Sequence, residues 1–480
     1  MNLRGPMSSA VVVGMLALGP GGPASGAAPC LRLARAGMQV QGVVRICPGR
    51  YRVPDPQEKG VLNAAASGTR IDLTGVTLES GDSVPSRLTG VGITSSGVDG
   101  VTVIGGVVRG YRIGLRIEGG RGHRVSGTTL SGTRKTAVTA SAERSDSTDR
   151  LDLSHPEVFL QYGGAVVLRR TVGASVTGIT ARGAQNGILL TDARDSYIAD
   201  NDLSGNTGWA IHLWRSSHNI ILRNQADHSI RCEEAPGACG AAAILLQEQS
   251  DSNTIADNRL FASRVGILVD AVPPLVRPSV GNLIVRNDAS SAADAGFAAA
   301  YDWNTTFLDN RADSAGTGFR LRHSIGSTTR GNSIIGARDT GISVTHGANG
   351  TIEANLILGA QVGIWIATPD ASTSPGRGFR IDDNVLGGLG QAVVLQGAVD
   401  SRVRGNVIDG VDVGLVVDGT GHGTEVSGNV FLRARQWFIA APDLMAGGNY
   451  WATADAAAAA ARVRGRISVL PWKPASAAGY

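Results

Sequence analysis

Two carboxylates, Glu248 and Asp270, stand 22 residues apart in a stretch where proton-handling, anion-binding and ring-stacking side chains recur at similar spacing. Asp192, His212, Trp214, Arg215 and Gln247 precede them, and Tyr301, Arg320, Arg322, His323 and His346 follow. Two carboxylates on neighbouring segments are what glycosidic-bond hydrolysis requires, one as acid and the other as base or nucleophile. Abstraction of a proton beside a carboxylate needs instead a base and a cation that neutralises the developing charge. Glu248, Asp270, His212, Tyr301 and Arg322 are therefore the candidate catalytic residues. Trp214, Arg215, Gln247, Arg320, His323 and Asp192 are the candidate substrate-binding ones, with Trp214 stacking on sugar rings and the arginines pairing with acidic groups. Each has a structural alternative: Trp214 packing under a loop, Glu248 and Asp270 as ion-pair partners of Arg215 or Arg322.

These residues share a common frame. A turn asparagine recurs at Asn201, Asn224, Asn258, Asn287, Asn310, Asn332, Asn355, Asn384, Asn406 and Asn429. The short steps define a unit of 22 to 23 residues and the longer ones add a loop. β-prone runs flank each asparagine, and a third follows a small residue, as in Gly187-Ile188-Leu189-Leu190 and Gly341-Ile342-Ser343-Val344. Three strands per unit make three parallel sheets, and some fourteen units at about 4.8 Å each would form a rod about 65 Å long. Stacked asparagines can hydrogen-bond to one another along such a rod, so they are read as structural. With Ile and Leu facing inward, alternation turns His212, Trp214, Gln247, Asp270, Arg320, Arg322 and Trp365 outward. Asp192, Arg215, Glu248, Tyr301, His323 and His346 fall just past their strands. Insertions at 141–162, 232–239, 270–280 and 368–378 would wall a groove on this face.

Arg4, the apolar run Ala10 to Leu18 and a small-residue stretch ending at Ala27 have the layout of a signal peptide. The run is about half of the roughly 20 residues that span a bilayer, so no membrane span is expected. The expected organisation is a leader at 1–27, an N-terminal cap at 28–70, the repeat region at 71–451 and a C-terminal cap and tail at 452–480, with a helix over 454–462. The cysteines pair locally, Cys30 with Cys47 and Cys232 with Cys239, as suits an exported chain. A net charge of +4 with scattered charges argues against nucleic acid and fits an acidic glycan. Lys59, Lys135 and Lys473 are the only lysines, which narrows the choice of base. The eight histidines include no His-x-His or His-x-x-x-His pair, so no transition-metal site is assigned.

The asparagine ladder, the Gly-Ile-x-Leu strands and the closing Asn449-Tyr450-Trp451 resemble right-handed parallel β-helix repeat proteins of the pectate-lyase-like superfamily, over about residues 40–451. The resemblance implies an all-β solenoid acting on polysaccharide in a groove on one sheet, as lyase, epimerase or glycoside hydrolase. It also admits a non-catalytic periplasmic or surface rod, NosD-like or glycan-binding. No cofactor is assigned with certainty, Ca²⁺ being the one that uronate chemistry often uses. The Asp-Pro-His-Asp signature of mannuronan epimerases and the three-aspartate pattern of polygalacturonases are absent. Secretion or periplasmic export and a monomeric state are expected.

Overall fold

The computed structural model describes residues 29–232, 239–271, 277–368, 376–418, 422–453 and 455–470. The leader expected at 1–27 lies outside the described residues. The rest of the chain winds into a right-handed parallel β-helix, in which each short strand pairs in parallel with its equivalent one coil away.

The first sheet has 17 strands, from Met38–Val40 to Val463–Ser468, and the second has 15, from Val43–Arg45 to Glu425–Ser427. The third forms a four-stranded block at the N-terminal end and a five-stranded block at the C-terminal end. Between the blocks it narrows to single bridges such as Thr180 to Asp202 and Gln225 to Arg259. Two inward columns of the first sheet fill the core. One runs Ile211, Ile244, Ile267, Phe297, Phe319 and the other Leu213, Leu246, Val269, Ala299, Leu321. The Phe297 and Phe319 rings stack with centroids 4.7 Å apart.

The asparagines form a continuous ladder. Asn224 Nδ2 donates to Asn258 Oδ1 at 3.0 Å and to the Ile198 carbonyl at 2.9 Å, and the same pattern holds from Asn201 to Asn449. Each buried amide is thereby satisfied in a core where an unpaired one costs about 1–3 kcal/mol. The residue before each ladder asparagine is left-handed, as at Asp200, Arg223, Asp257 and Arg286. Their exposed side chains also pair between coils, Arg223 with Asp200 and Arg286 with Asp257. A second ladder, Asn219 to Asn253 to Asn282, runs beside the first sheet.

Both cysteine pairs are disulfide-bonded, with Cα separations of 4.8 Å for Cys30–Cys47 and 5.8 Å for Cys232–Cys239. At the C-terminal end Trp451 stacks on Phe431, centroids 5.1 Å apart. The helix there spans Ala456–Ala460, with Asp455 capping the Ala457 N–H. It leads into Val463–Ser468, which adds to the sheet edge at Ala434–Met445.

Candidate functional site

The outer face of the first sheet carries the candidate residues in register. His212 pairs with Leu245 and Trp214 with Gln247, and the next coil sets Gln247 against Asp270. At the corner after each strand stand Arg170, Asp192, Arg215, Glu248, Tyr301, His323 and His346, all with φ between 43° and 57°. Left-handed backbone is uncommon outside glycine. Its repetition at one corner projects a line of side chains along the edge of the sheet.

Half of this face is covered. The segment 133–163, longer than the loop the sequence indicated, packs on the coils that carry Leu189, His212, Trp214 and Leu245, and Phe159 lies against both His212 and Trp214. Its ring centroid is 4.7 Å from that of His212 and 5.4 Å from that of Trp214. Leu151 and Phe159 form an apolar cluster with Leu189, Trp209, Trp214 and Leu245. The loop is pinned by Thr136 N donating to Gln185 Oε1 at 2.6 Å and by Arg231 Nε donating to the Asp149 carbonyl at 2.6 Å. His212 and Gln247 are fully buried and Trp214 is 5% exposed. Burial pushes the His212 pKa down to about 3, so its ring is neutral. All three hold outward register positions yet are buried, and His212 and Trp214 meet Phe159 of the loop. For Trp214 the packing alternative is the observed one.

The cluster under the loop continues to Val265, Leu268 and Ala298, and among the described residues the edge of the face becomes partly exposed at Asp270, Tyr301 and Arg322. Glu248 donates its backbone N–H to the Asp270 carbonyl at 3.4 Å, so the two carboxylates leave adjacent coils. Asp270 is partly exposed, and its pKa is pushed up to about 6, chiefly by burial and further by Glu248. The Ala271 N–H and Arg322 oppose that shift. Tyr301, His323 and His346 stack face to face along the adjoining edge, with centroids 4.6 and 4.9 Å apart and planes 1° and 17° from parallel. His323 is held below the usual histidine range by burial, by His346 and by Arg322. The outward positions between these coils are small, Ala298, Ala300 and Ser343, with Ala298 and Ser343 buried, and half-buried Trp365 lies beyond.

The structure therefore brings Asp270, Tyr301, Arg322 and His323 to one partly exposed edge at mid-rod, with Glu248 buried beside Asp270. His346 completes the ring stack. It was visible in the sequence as a residue just past its strand, but nothing there indicated stacking. Asp192 and Arg215 instead pair with each other at 2.9 Å. Arg320 holds both oxygens of Asp294 at 2.5 and 2.9 Å. A cavity of about 430 Å³ near the N-terminal end is lined by Arg50 and Arg109, which both pair with Glu79, and by Arg52, which donates to the Gly81 carbonyl.

The sequence matches the family described as periplasmic copper-binding protein (NosD) over residues 67–271, 239–373 and 281–458. The chain belongs to the NosD family. No curated protein matches it. Among solved structures this NosD-family chain is similar to the Dettilon tailspike protein, at 16% identity and a TM-score of 0.49, over 70% of this chain and 63% of the tailspike. It is also similar to a mutant of the periplasmic alginate epimerase AlgG (14%, TM-score 0.44, 78% of this chain and 84% of that one). A third is the Streptococcus pneumoniae surface protein and adhesin PfbA (12%, TM-score 0.44, 83% and 91%).

The family description raises copper, and the residues present do not fit it. All eight histidines and all four cysteines are among the described residues. The single cluster of three candidate ligands among the described residues is Asp149 with Cys232 and Cys239, and those cysteines are joined in a disulfide. Asp149 accepts the backbone N–H groups of Thr139 and Ala140. His323 and His346 stack face to face, a geometry in which in-plane lone pairs do not converge on one ion. The disulfides fit an extracytoplasmic location. No helix among the described residues is long and apolar enough to cross a membrane.

Proposed function

We propose that this NosD-family chain is a secreted or periplasmic protein that cleaves a polysaccharide lying along the open half of the first sheet. Asp270 serves as general acid and Glu248 as its carboxylate partner. The observation that carries the reading is the placement of these two carboxylates on adjacent coils at one edge of the sheet, near Arg322, with the Tyr301–His323–His346 stack along the same edge. A carboxyl titrating near 6 holds its proton late enough to deliver it to a leaving oxygen, while a carboxylate beside it assists attack. Aromatic faces and a cation along the same edge suit a chain of sugar rings, acidic ones included.

A purely structural or binding rod would spread such groups along its length. Here the exposed ion pairs are spread that way, whereas the acid pair and the ring stack concentrate at mid-rod. Incubation with neutral and uronic polysaccharides, with and without calcium, tests the reading by mass spectrometry of the products. Saturated fragments support it. Fragments lighter by one water would shift the reading to a lyase with Tyr301 as base, and the absence of any product would favour the non-catalytic rod.

A further inference from the structure

A cavity of about 290 Å³ opens between the covering loop and the first sheet, apart from the acid pair. Three arginines reach it: Arg150 from the loop, and Arg264 and Arg320 from coils of the sheet. They face one carboxylate. Asp294 is held by both terminal nitrogens of Arg320 and lies 3.8 Å from Arg264. The described lining thus carries three positive charges against one negative. The crowding is felt by Arg264, whose guanidinium is disfavoured by burial and by Arg320 and Arg150, with Asp294 opposing. The remaining wall is mostly apolar, including Leu153, Trp209 and Leu268.

Among the described residues, a cluster with more cations than carboxylates beside an apolar wall selects for a ligand with the same division. We propose that this cavity binds a small carboxylic acid carried on an apolar body, with the carboxylate between Arg150 and Arg264 and the body against Trp209, Leu153 and Leu268. A sugar acid, hydroxylated on every side, would lose water along that wall without regaining hydrogen bonds. A carboxylate without the body would forgo the apolar contact. The site takes a different ligand class from the polysaccharide and uses neither carboxylate of the acid pair, although Leu268 and Asp270 share one strand.

Isothermal titration of the full disulfide-bonded chain with phenylacetate tests this, with phenylacetamide as the uncharged analogue and acetate as the analogue without the ring. The expected result is saturable one-to-one binding of phenylacetate, with both analogues at least about tenfold weaker. Arg150 is exposed on the loop, so Arg150→Ala should leave the melting temperature unchanged and weaken phenylacetate about tenfold, while Arg150→Lys retains much of the affinity. Asp270→Asn should leave phenylacetate binding intact, which separates this site from the polysaccharide reading. Absence of saturable binding, equal binding of phenylacetamide, or an unchanged affinity in Arg150→Ala would each overturn the proposal.

Discussion

Glu248 gives its backbone N–H to the carbonyl of Asp270 at 3.4 Å, so two carboxylates far apart in sequence share one edge of the same sheet. Their closeness follows from the coil spacing. The difference in their surroundings follows from the residues around them: Glu248 is 6% exposed, and Asp270 stands partly open toward Arg322.

Asp270 gives the first prediction. Its pKa of about 6 lies above the ordinary aspartate value, so between about pH 4 and 6 the folded chain holds a proton that the unfolded chain has released. That contribution to stability is present below about pH 4 and is lost as pH rises through 6, a change on the order of 3 kcal/mol. Asp270→Asn should flatten this part of the pH–stability curve in denaturant titrations. A slope matching the wild type would assign the titration to another group.

His212 behaves oppositely. Its folded pKa of about 3 lies below the unfolded value, so the stability it contributes is present above about pH 6.5 and is lost as pH falls toward 3. Its ring should give no NMR titration between pH 5 and 8. Phe159→Ala removes the ring that packs on it, should cost about 3 kcal/mol, and should let water reach His212 so that its titration moves up toward the ordinary range. A histidine that already titrates near 6.5 in the wild type would contradict the covered face.

The asparagine ladder should be costly to break at its middle. Asn310 accepts from the Asn287 Nδ2 and donates to the Asn332 Oδ1, each at 3.1 Å. Asn310→Ala strands both partners and should lower stability by about 2–4 kcal/mol, read as a fall in melting temperature. Arg286→Ala, which removes an exposed pair with Asp257, should cost less than about 1 kcal/mol. Equal losses from the two would deny the ladder its structural weight.

Copper should find no built site. Titration with Cu(I) or Cu(II) should give no stoichiometric uptake beyond weak binding to exposed histidines such as His218, and His323→Ala should leave the isotherm unchanged. A one-to-one complex lost in that variant would show that the ring stack opens to hold a metal.

Much of this was legible because a solenoid repeats its instructions. The step between asparagines gave the coil, and the Ile and Leu positions gave the register that places His212 opposite Leu245 and Gln247 opposite Asp270. What the repeat does not encode was not legible. The segment 133–163 has no period, so although packing of Trp214 under a loop was an open alternative, the burial of His212 against Phe159 had no signal in the coils themselves. The Asn219–Asn253–Asn282 ladder was missed because it is short, although the Ser-x-x-Asn spacing at Ser216, Ser250 and Ser279 marks it. The anionic preference of the loop-side cavity depends on Arg150 meeting Arg264 and Arg320, three residues that no sequence spacing relates.

The central claim is that the Glu248–Asp270 pair cleaves polysaccharide, and the most direct test is the pH dependence of product release by the wild type and by Asp270→Asn. The account predicts that a susceptible polysaccharide yields saturated fragments at a rate that falls as pH rises through about 6, with Asp270→Asn slower by about 10²- to 10⁴-fold while its fold is retained. Cleavage by Asp270→Asn at the wild-type rate, with an unchanged pH profile, would contradict it.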